Sequence, residues 1–321
     1  MISYLLDKVS SKISMKEAFI KSVSEVFEKY DKTKIILGDI GHFGFQHIWA
    51  DDKNKERYFN VGILEQTMVG FAAGLSKAGS YPLVHTITPF LVERPFEQIK
   101  IDFGLNELKG CFISVGAAFD YSTLGPTHHS YSDLALFSTI PNSHIYSVSS
   151  YEELKSALDN SVKNKWLSYI RMNRKIHAFN VQNNCLKNET SIKICEGNNI
   201  TVVVTGGRLK DTLKAIELLQ EKNLNVELIY VYKLKPLQTK IIEDSLNKTN
   251  NLLVVEDHSE IGSLYSILLM KLKLRNGFKH SGLNTKDQFI RGYGTYDNLT
   301  ERAKLDHKTI YKNILSLLNF S

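Results

Sequence analysis

The run Asn60-Val-Gly-Ile-Leu-Glu-Gln-Thr-Met-Val-Gly-Phe-Ala-Ala-Gly-Leu-Ser-Lys77, followed after four residues by Pro82-Leu-Val-His-Thr-Ile87, sets the fold class. The first part has helical spacing with Asn60 as its N-cap, and the second is a short apolar strand. The alternation extends outward in both directions. Upstream, the strand Lys34-Ile-Ile-Leu-Gly-Asp39 follows an amphipathic helix over 15–30. Downstream, Cys111-Phe-Ile-Ser-Val115, His144-Ile-Tyr-Ser-Val148 and Trp166-Leu-Ser-Tyr-Ile170 alternate with helical patterns over 92–103, 133–137 and 151–163. Short β-rich runs separated by helices predict a parallel sheet covered on both faces.

Residues 174–199 break the rhythm, being rich in Asn and Lys with no sustained period, and read as a connection. Strands then return at Ile200-Thr-Val-Val-Val204, Val226-Glu-Leu-Ile-Tyr-Val231 and Leu252-Leu-Val-Val255, with helices over 209–221, 261–273 and 308–318. The expectation is an α/β chain of two domains, 1–180 and 199–321, joined by a linker over 181–198. Its 321 residues are twice the ~150 of a typical single domain. Hydrophobic residues at 43% and charged residues at 23% exclude disordered, collagenous and coiled-coil classes. The net charge of +6 comes without a dense basic run, so no nucleic-acid partner is expected. Cys111, Cys185 and Cys195 have no metal-ligand spacing and fit a reducing cytoplasm. No eighteen-residue apolar stretch exists and residues 1–11 lack a signal-peptide core, so a soluble cytoplasmic chain without a membrane partner is expected.

Apolar residues surround the 60–77 helix, which predicts burial on all sides. Glu65 and Lys77 are its only charges. A buried carboxylate is costly unless it is paired or protonated. Glu65 therefore has two readings: a structural acid that caps the helix or pairs with an arginine, or a proton donor or acceptor of raised pKa facing a ligand. Gly62, Gly70, Gly74 and Gly79 predict close approach of another backbone or a ligand. Leu124-Gly-Pro-Thr-His-His-Ser130 lies where strands of an α/β sheet present loops to ligands. Its adjacent histidines point in different directions, so no metal ion held by both is expected; each is either structural or catalytic. Thr205-Gly206-Gly207 lacks phosphate-loop spacing and reads as a strand-to-helix turn. Glu256-Asp257-His258 is a further ionisable cluster at a strand end.

Together these segments resemble the C-terminal half of transketolases, and specifically the stand-alone second (beta) subunit of split transketolases. The resemblance runs from about residue 14 to residue 318. It is carried by Gly38-Asp39, Phe59-Asn-Val-Gly-Ile-Leu-Glu65, Phe90 with Arg94-Pro-Phe-Glu-Gln98, Gly125-Pro-Thr-His128, Ile140-Pro141, Leu234-Lys-Pro236 and Val255-Glu-Asp-His258. It implies a doubly wound parallel-sheet domain that binds the pyrimidine of thiamine diphosphate, followed by a smaller mixed-sheet C-terminal domain. By resemblance, Glu65 bonds N1′ of the aminopyrimidine, whose 4′-nitrogen takes the thiazolium C2 proton. Phe90 lies against the pyrimidine, with Asp39 and Ile40 near the cofactor. His128 stands beside the substrate carbonyl, and Arg171 binds a phosphate or carboxylate. The family's Mg²⁺ and diphosphate motif, G-D-G with a distant Asn, does not occur, and Gly38-Asp39-Ile40 is not that motif. A hard cation needs such oxygen ligands. The implied solution is an N-terminal transketolase-type (alpha) partner that holds Mg²⁺, in an α2β2 heterotetramer. The activity implied is transfer of a two-carbon ketol unit from a ketose donor to an aldehyde acceptor.

Three departures bear on the substrate. Leu124 stands where many sugar-phosphate transketolases have an aspartate, and it accepts no hydrogen bond. Gly116 replaces a histidine and Phe43 a serine. These imply a non-standard sugar or sugar phosphate as acceptor. The beta subunit of a 2-oxoacid dehydrogenase-type decarboxylase shares the fold and the glutamate, but the Gly-Pro-Thr-His-His loop and the Leu-Lys-Pro turn favour the transferase. Deoxyxylulose-phosphate synthases normally carry both halves in one chain. A non-catalytic scaffold paralogue need not retain Glu65.

Overall fold

The computed structural model describes residues 13–174, 190–272 and 278–320. Its first sheet contains β1 (Thr33–Leu37), β2 (Tyr58–Asn60), β3 (Tyr81–Ile87), β4 (Gly110–Val115), β5 (His144–Val148), β6 (Leu167–Met172) and β10 (Lys233–Lys235). The order is β10-β5-β6-β4-β3-β1-β2, and all pairs are parallel except β10 with β5. The second sheet contains β7 (Ser191–Cys195), β8 (Ile200–Thr205), β9 (Val226–Val231), β11 (Asn251–Val255) and β12 (Lys279–Leu283), in the order β12-β11-β8-β9-β7 with β7 antiparallel. The expected α/β class, with a mostly parallel sheet and a smaller mixed one, is the observed architecture.

Alternation along each strand divides the core between two faces. Ile35, Leu37, Cys111 and Ile113 pack with Phe19, Val23 and Leu158 from helices Met15–Lys29 and Tyr151–Asn164. Ile36, Val84 and Phe112 point the other way, toward Met68, Val69 and Ala72 of helix Glu65–Lys77. Helix Met15–Lys29 starts where it does because Ser14 and Glu17 bond each other's backbone N–H groups in a capping box.

The structure corrects several boundaries. Asn60 does not cap the helix: it ends β2, and the helix begins at Glu65 after Leu64. The expected helix over 92–103 is broken into π-helical turns at Pro89–Glu93 and Ile99–Leu105 flanking Phe96–Gln98, with Pro95 removing a backbone donor between them. The stretch expected to be a connection contains β7, while 175–189, including Cys185, lies outside the described residues. β10 comes from beyond the connection yet closes the edge of the first sheet on β5. Its Lys235 ammonium donates to the carbonyl oxygens of Ser138 and Ile140 at 2.9 and 2.5 Å, at the end of helix Asp133–Ser138. Among the described residues, no helix is long and apolar enough to cross a membrane.

Candidate active site

Glu65, the first residue of its helix, is only 3% exposed. Its Oε2 accepts a 2.8 Å bond from Arg94 Nη1. The Arg94 guanidinium lies over the Phe90 ring at 4.2 Å. Phe90 meets His128 edge to face at 5.1 Å, and His128 lies 6.1 Å from the Tyr121 ring. Arg174 covers the far end of this series, 4.8 Å from the Tyr121 centroid. These contacts join Glu65 to Arg174 in one continuous string, which brings together three of the residues singled out from sequence: Glu65, Phe90 and His128. The structural reading of Glu65 foresaw an arginine partner, and Arg94 is that partner. Among the described residues, Oε1 makes no bond of its own.

Local backbone geometry positions the string. Thr88 Oγ1 donates to Val115 O at 3.0 Å and so ties the end of β3 to the end of β4 just before Phe90. Gly125 has φ +78°, a conformation that favours glycine. A 3₁₀ turn over Pro126–His128 follows and presents His128. His129 turns inward and is buried against Phe119 at 5.6 Å, so the paired histidines do point apart. Burial lowers the pKa of His129. At the end of β1, Asp39 has φ +58°, a strained conformation for a non-glycine residue. Asn60 Oδ1 accepts from Asp39 N at 3.0 Å, and Asn60 Nδ2 donates to Asp39 Oδ1 at 3.2 Å. The residue expected to cap a helix therefore holds the strand end that carries Asp39 and Ile40.

Arg171 is not where a substrate-binding arginine has to be. It is 0% exposed within β6, its Nη1 donates to Asp257 Oδ1 at 2.7 Å, and its Nε lies 3.0 Å from Asp133 Oδ2. Its Nη2 donates to the carbonyl oxygens of Ser130 and Asp257. Two carboxylates neutralise it, and no face is left for a ligand. Arg174, which the sequence reading missed, is the exposed arginine: it follows the end of β6, and its backbone N–H donates to Asp120 Oδ2 at 2.7 Å. Burial pushes the Asp120 carboxyl up to about 7. The missed signal was position, since a residue past a strand's carboxyl end faces the ligand crevice whereas one inside the strand faces the core.

The Glu256-Asp257-His258 cluster is structural, with Asp257 and His258 fastening the two halves together. Glu256 accepts from Ser263 Oγ, Leu264 N and Tyr265 N and caps helix Leu264–Lys271; burial raises its pKa to about 7. Asp257 holds Arg171, and His258 Nε2 accepts from Leu134 N at 3.2 Å. Thr205-Gly206-Gly207 leads into a 3₁₀ turn over Gly206–Arg208, as expected of a strand-to-helix turn.

The three departures acquire physical reasons. A Cβ on Gly116 (φ +94°) would stand 2.2 Å from Tyr121 Cε2, so the missing side chain lets the Tyr121 ring lie on the backbone. Leu124 is 47% exposed on the loop before His128, and Phe43 is exposed beyond β1. Of the four glycines singled out in and beside the glutamate helix, a Cβ on Gly62, Gly74 or Gly79 would meet nothing within 4 Å among the described residues, and one on Gly70 would meet Asp102 Oδ2 at 3.9 Å. Nor is this helix buried on all sides, for Phe71 is exposed on it, and Ile63 (67% exposed) and Leu64 are uncovered just before it.

Comparison with known proteins identifies the family. Residues 11–178 match the family model for the transketolase pyrimidine binding domain, and residues 189–307 that for the transketolase C-terminal domain. A putative transketolase C-terminal section from Methanocaldococcus jannaschii is 26% identical over 310 residues, covering 94% of this chain and 95% of the relative. An apulose-4-phosphate transketolase subunit from Actinobacillus succinogenes is 28% identical over 217 residues, 66% of this chain and 69% of the relative. Among solved structures, a split gene transketolase described as an inactive beta4 tetramer superposes with a TM-score of 0.85 at 24% identity, covering 96% of this chain and 99% of that one, which shows a shared fold. With both family models matched in order along its length, the chain belongs to the transketolase family.

Proposed function

We propose that this chain is the second subunit of a split, thiamine-diphosphate-dependent transketolase-type transferase, moving a two-carbon ketol unit from a ketose donor to an aldehyde acceptor. The observation that carries the reading is Glu65, enclosed at the head of its helix and linked through Phe90 to His128. The residues fit the pyrimidine half of the cofactor. A carboxylate with one oxygen unbonded suits N1′, and the half-buried Phe90 ring offers an aromatic face. For the metal half, the sequence lacks the G-D-G motif with a distant Asn that the resemblance calls for. When bound, thiamine diphosphate supplies a nucleophilic carbon that cleaves and forms bonds next to a carbonyl.

This chain's own residues do the rest. Glu65 holds a proton at the pyrimidine N1′. Phe90 packs against the ring, and Asp39 and Ile40 border it from the end of β1. His128 gives a proton to the acceptor carbonyl oxygen as it becomes a hydroxyl. Arg174 reads an anionic group of the substrate in place of Arg171, and Leu124 offers the substrate an apolar side chain. An N-terminal transketolase-type subunit holds Mg²⁺ and the diphosphate in an α2β2 assembly. The uncovered edge of Ile63, Leu64 and Phe71, with the open glycine face behind it, is the surface it covers. The second unit begins with β7, ahead of the expected boundary at 199, and returns β10 to the first sheet; the free thiols Cys111 and Cys195 suit a reducing cytoplasm.

Glu65→Gln in the complete assembly is expected to lower kcat for ketol transfer on the order of 100-fold or more, with little change in thermal midpoint. Unaltered activity would show that Glu65 serves only its ion pair with Arg94 and would favour the scaffold reading. A screen of ketose against 2-oxoacid donors, followed by mass spectrometry, separates transfer from oxidative decarboxylation.

A further inference from the structure

Beside the catalytic string lies a cleft of about 440 Å³ at the carboxyl ends of β1, β4 and β6. We propose that this cleft receives the distal part of the acceptor, and that this part is an apolar group carrying at most one anionic group at the mouth, not a terminal phosphate. The assignment to an acceptor rests on the function proposed above. Tyr121 belongs to both the cleft and the string, so a molecule whose carbonyl stands at His128 has its far end here.

The chemistry of the lining decides the class of ligand. Met15, Phe19, Phe45 and Met172 line the cleft and are almost wholly buried, with Ile20 and Val115 beside them. Two of the polar groups that line it are already engaged. His85 Nδ1 bonds Ile113 O at 2.7 Å and its ring lies on Phe19 at 4.1 Å; burial lowers its pKa to about 4, so it brings no positive charge at neutral pH. The Ser14 hydroxyl serves the capping box. The cationic side chains, Lys16 and Arg174, sit exposed at the rim. A phosphate dianion pushed past them would lose its water with no interior cation to replace it. An apolar body gains by the same move. Gly116 contributes to this shape, because the Tyr121 ring that lies on it forms the wall nearest His128.

The test compares two probes by saturation-transfer NMR on the assembly of this chain with its N-terminal-type subunit and thiamine diphosphate. 3-Phenylpropanoate is expected to bind at least tenfold more tightly than glycerol 3-phosphate. Ile20→Trp, which fills the cleft, should weaken 3-phenylpropanoate at least tenfold, and Ile20→Val should retain it. Tighter binding of glycerol 3-phosphate overturns the proposal, and that comparison needs no variant to fold. So does a folded Ile20→Trp protein that binds 3-phenylpropanoate as before. A parallel assay offers 3-phenylpropanal or glyceraldehyde 3-phosphate as acceptor with a ketose donor, the former being expected to give the higher kcat/KM. A tenfold preference for the phosphorylated aldehyde removes the cleft assignment and leaves the transferase standing. Turnover of neither aldehyde, with the NMR preference intact, removes the transferase and leaves the cleft's ligand class standing.

Discussion

Two arginines three residues apart show how position within a strand divides enclosed from exposed charge. Arg171 is enclosed in β6 between Asp133 and Asp257, whereas Arg174 stands past its end. Removing one member of a buried ion pair strands the others without a partner. Arg171→Met is therefore expected to cost roughly 3–5 kcal/mol of stability in urea titration. Arg174→Met should leave stability within about 1 kcal/mol while raising the KM of an anionic acceptor roughly tenfold. The sequence shows both arginines but not which faces a ligand, because that depends on where β6 ends. Gly116→Ala tests the packing of Tyr121: a ring displaced by the new methyl is expected to cost about 1–3 kcal/mol, measured by thermal unfolding. Glu65 was legible as an enclosed acid, but its tie to Arg94 was not, since the two are 29 positions apart and meet only after the π-helical turns re-aim the chain.

At the scale of single elements, long apolar strands were readable and short ones were not. His144–Val148 and Val226–Val231 were expected over those same residues, because three and five buried apolar positions, respectively, outweigh their surroundings. β2 and β10, with three residues each, carry too little pattern to be recognised. β7 lies at a sheet edge, where one face is solvated and Lys193 interrupts the apolar run. The helix Leu264–Lys271 depends on Glu256, and its cap has a pH signature. With the folded pKa near 7 and an unfolded value near 4.3, the folded chain holds the proton more tightly. This contribution is fully present below about pH 4.3 and is lost as pH rises to 7. Glu256→Gln removes the titration. The stability of the variant relative to the unaltered chain should accordingly rise by roughly 3 kcal/mol between pH 4.5 and pH 8, seen in denaturant midpoints across that range.

On the scale of the whole molecule, the two sheets are fastened by groups that sequence order keeps far apart. Asp257 from the second half clamps Arg171 of the first, Leu134 N is received by His258, and β10 lies along β5. The alternation of strands and helices made two α/β units legible, but neither the shared strand nor the crossed ion pairs, which exist only once the chain is folded. A fragment of residues 1–189 is expected to show no cooperative unfolding transition by calorimetry, since it lacks both β10 and Asp257, one of the two carboxylates that hold Arg171; a fragment of residues 190–321 supplied separately should restore the transition. The position of β10 also imposes an order on biosynthesis. A ribosome must deliver residue 235 before the first sheet gains its last strand, although the preceding strand of that sheet ends at residue 172. Nascent chains paused between those two points expose the edge of β5, and in that interval this protein has most need of a chaperone.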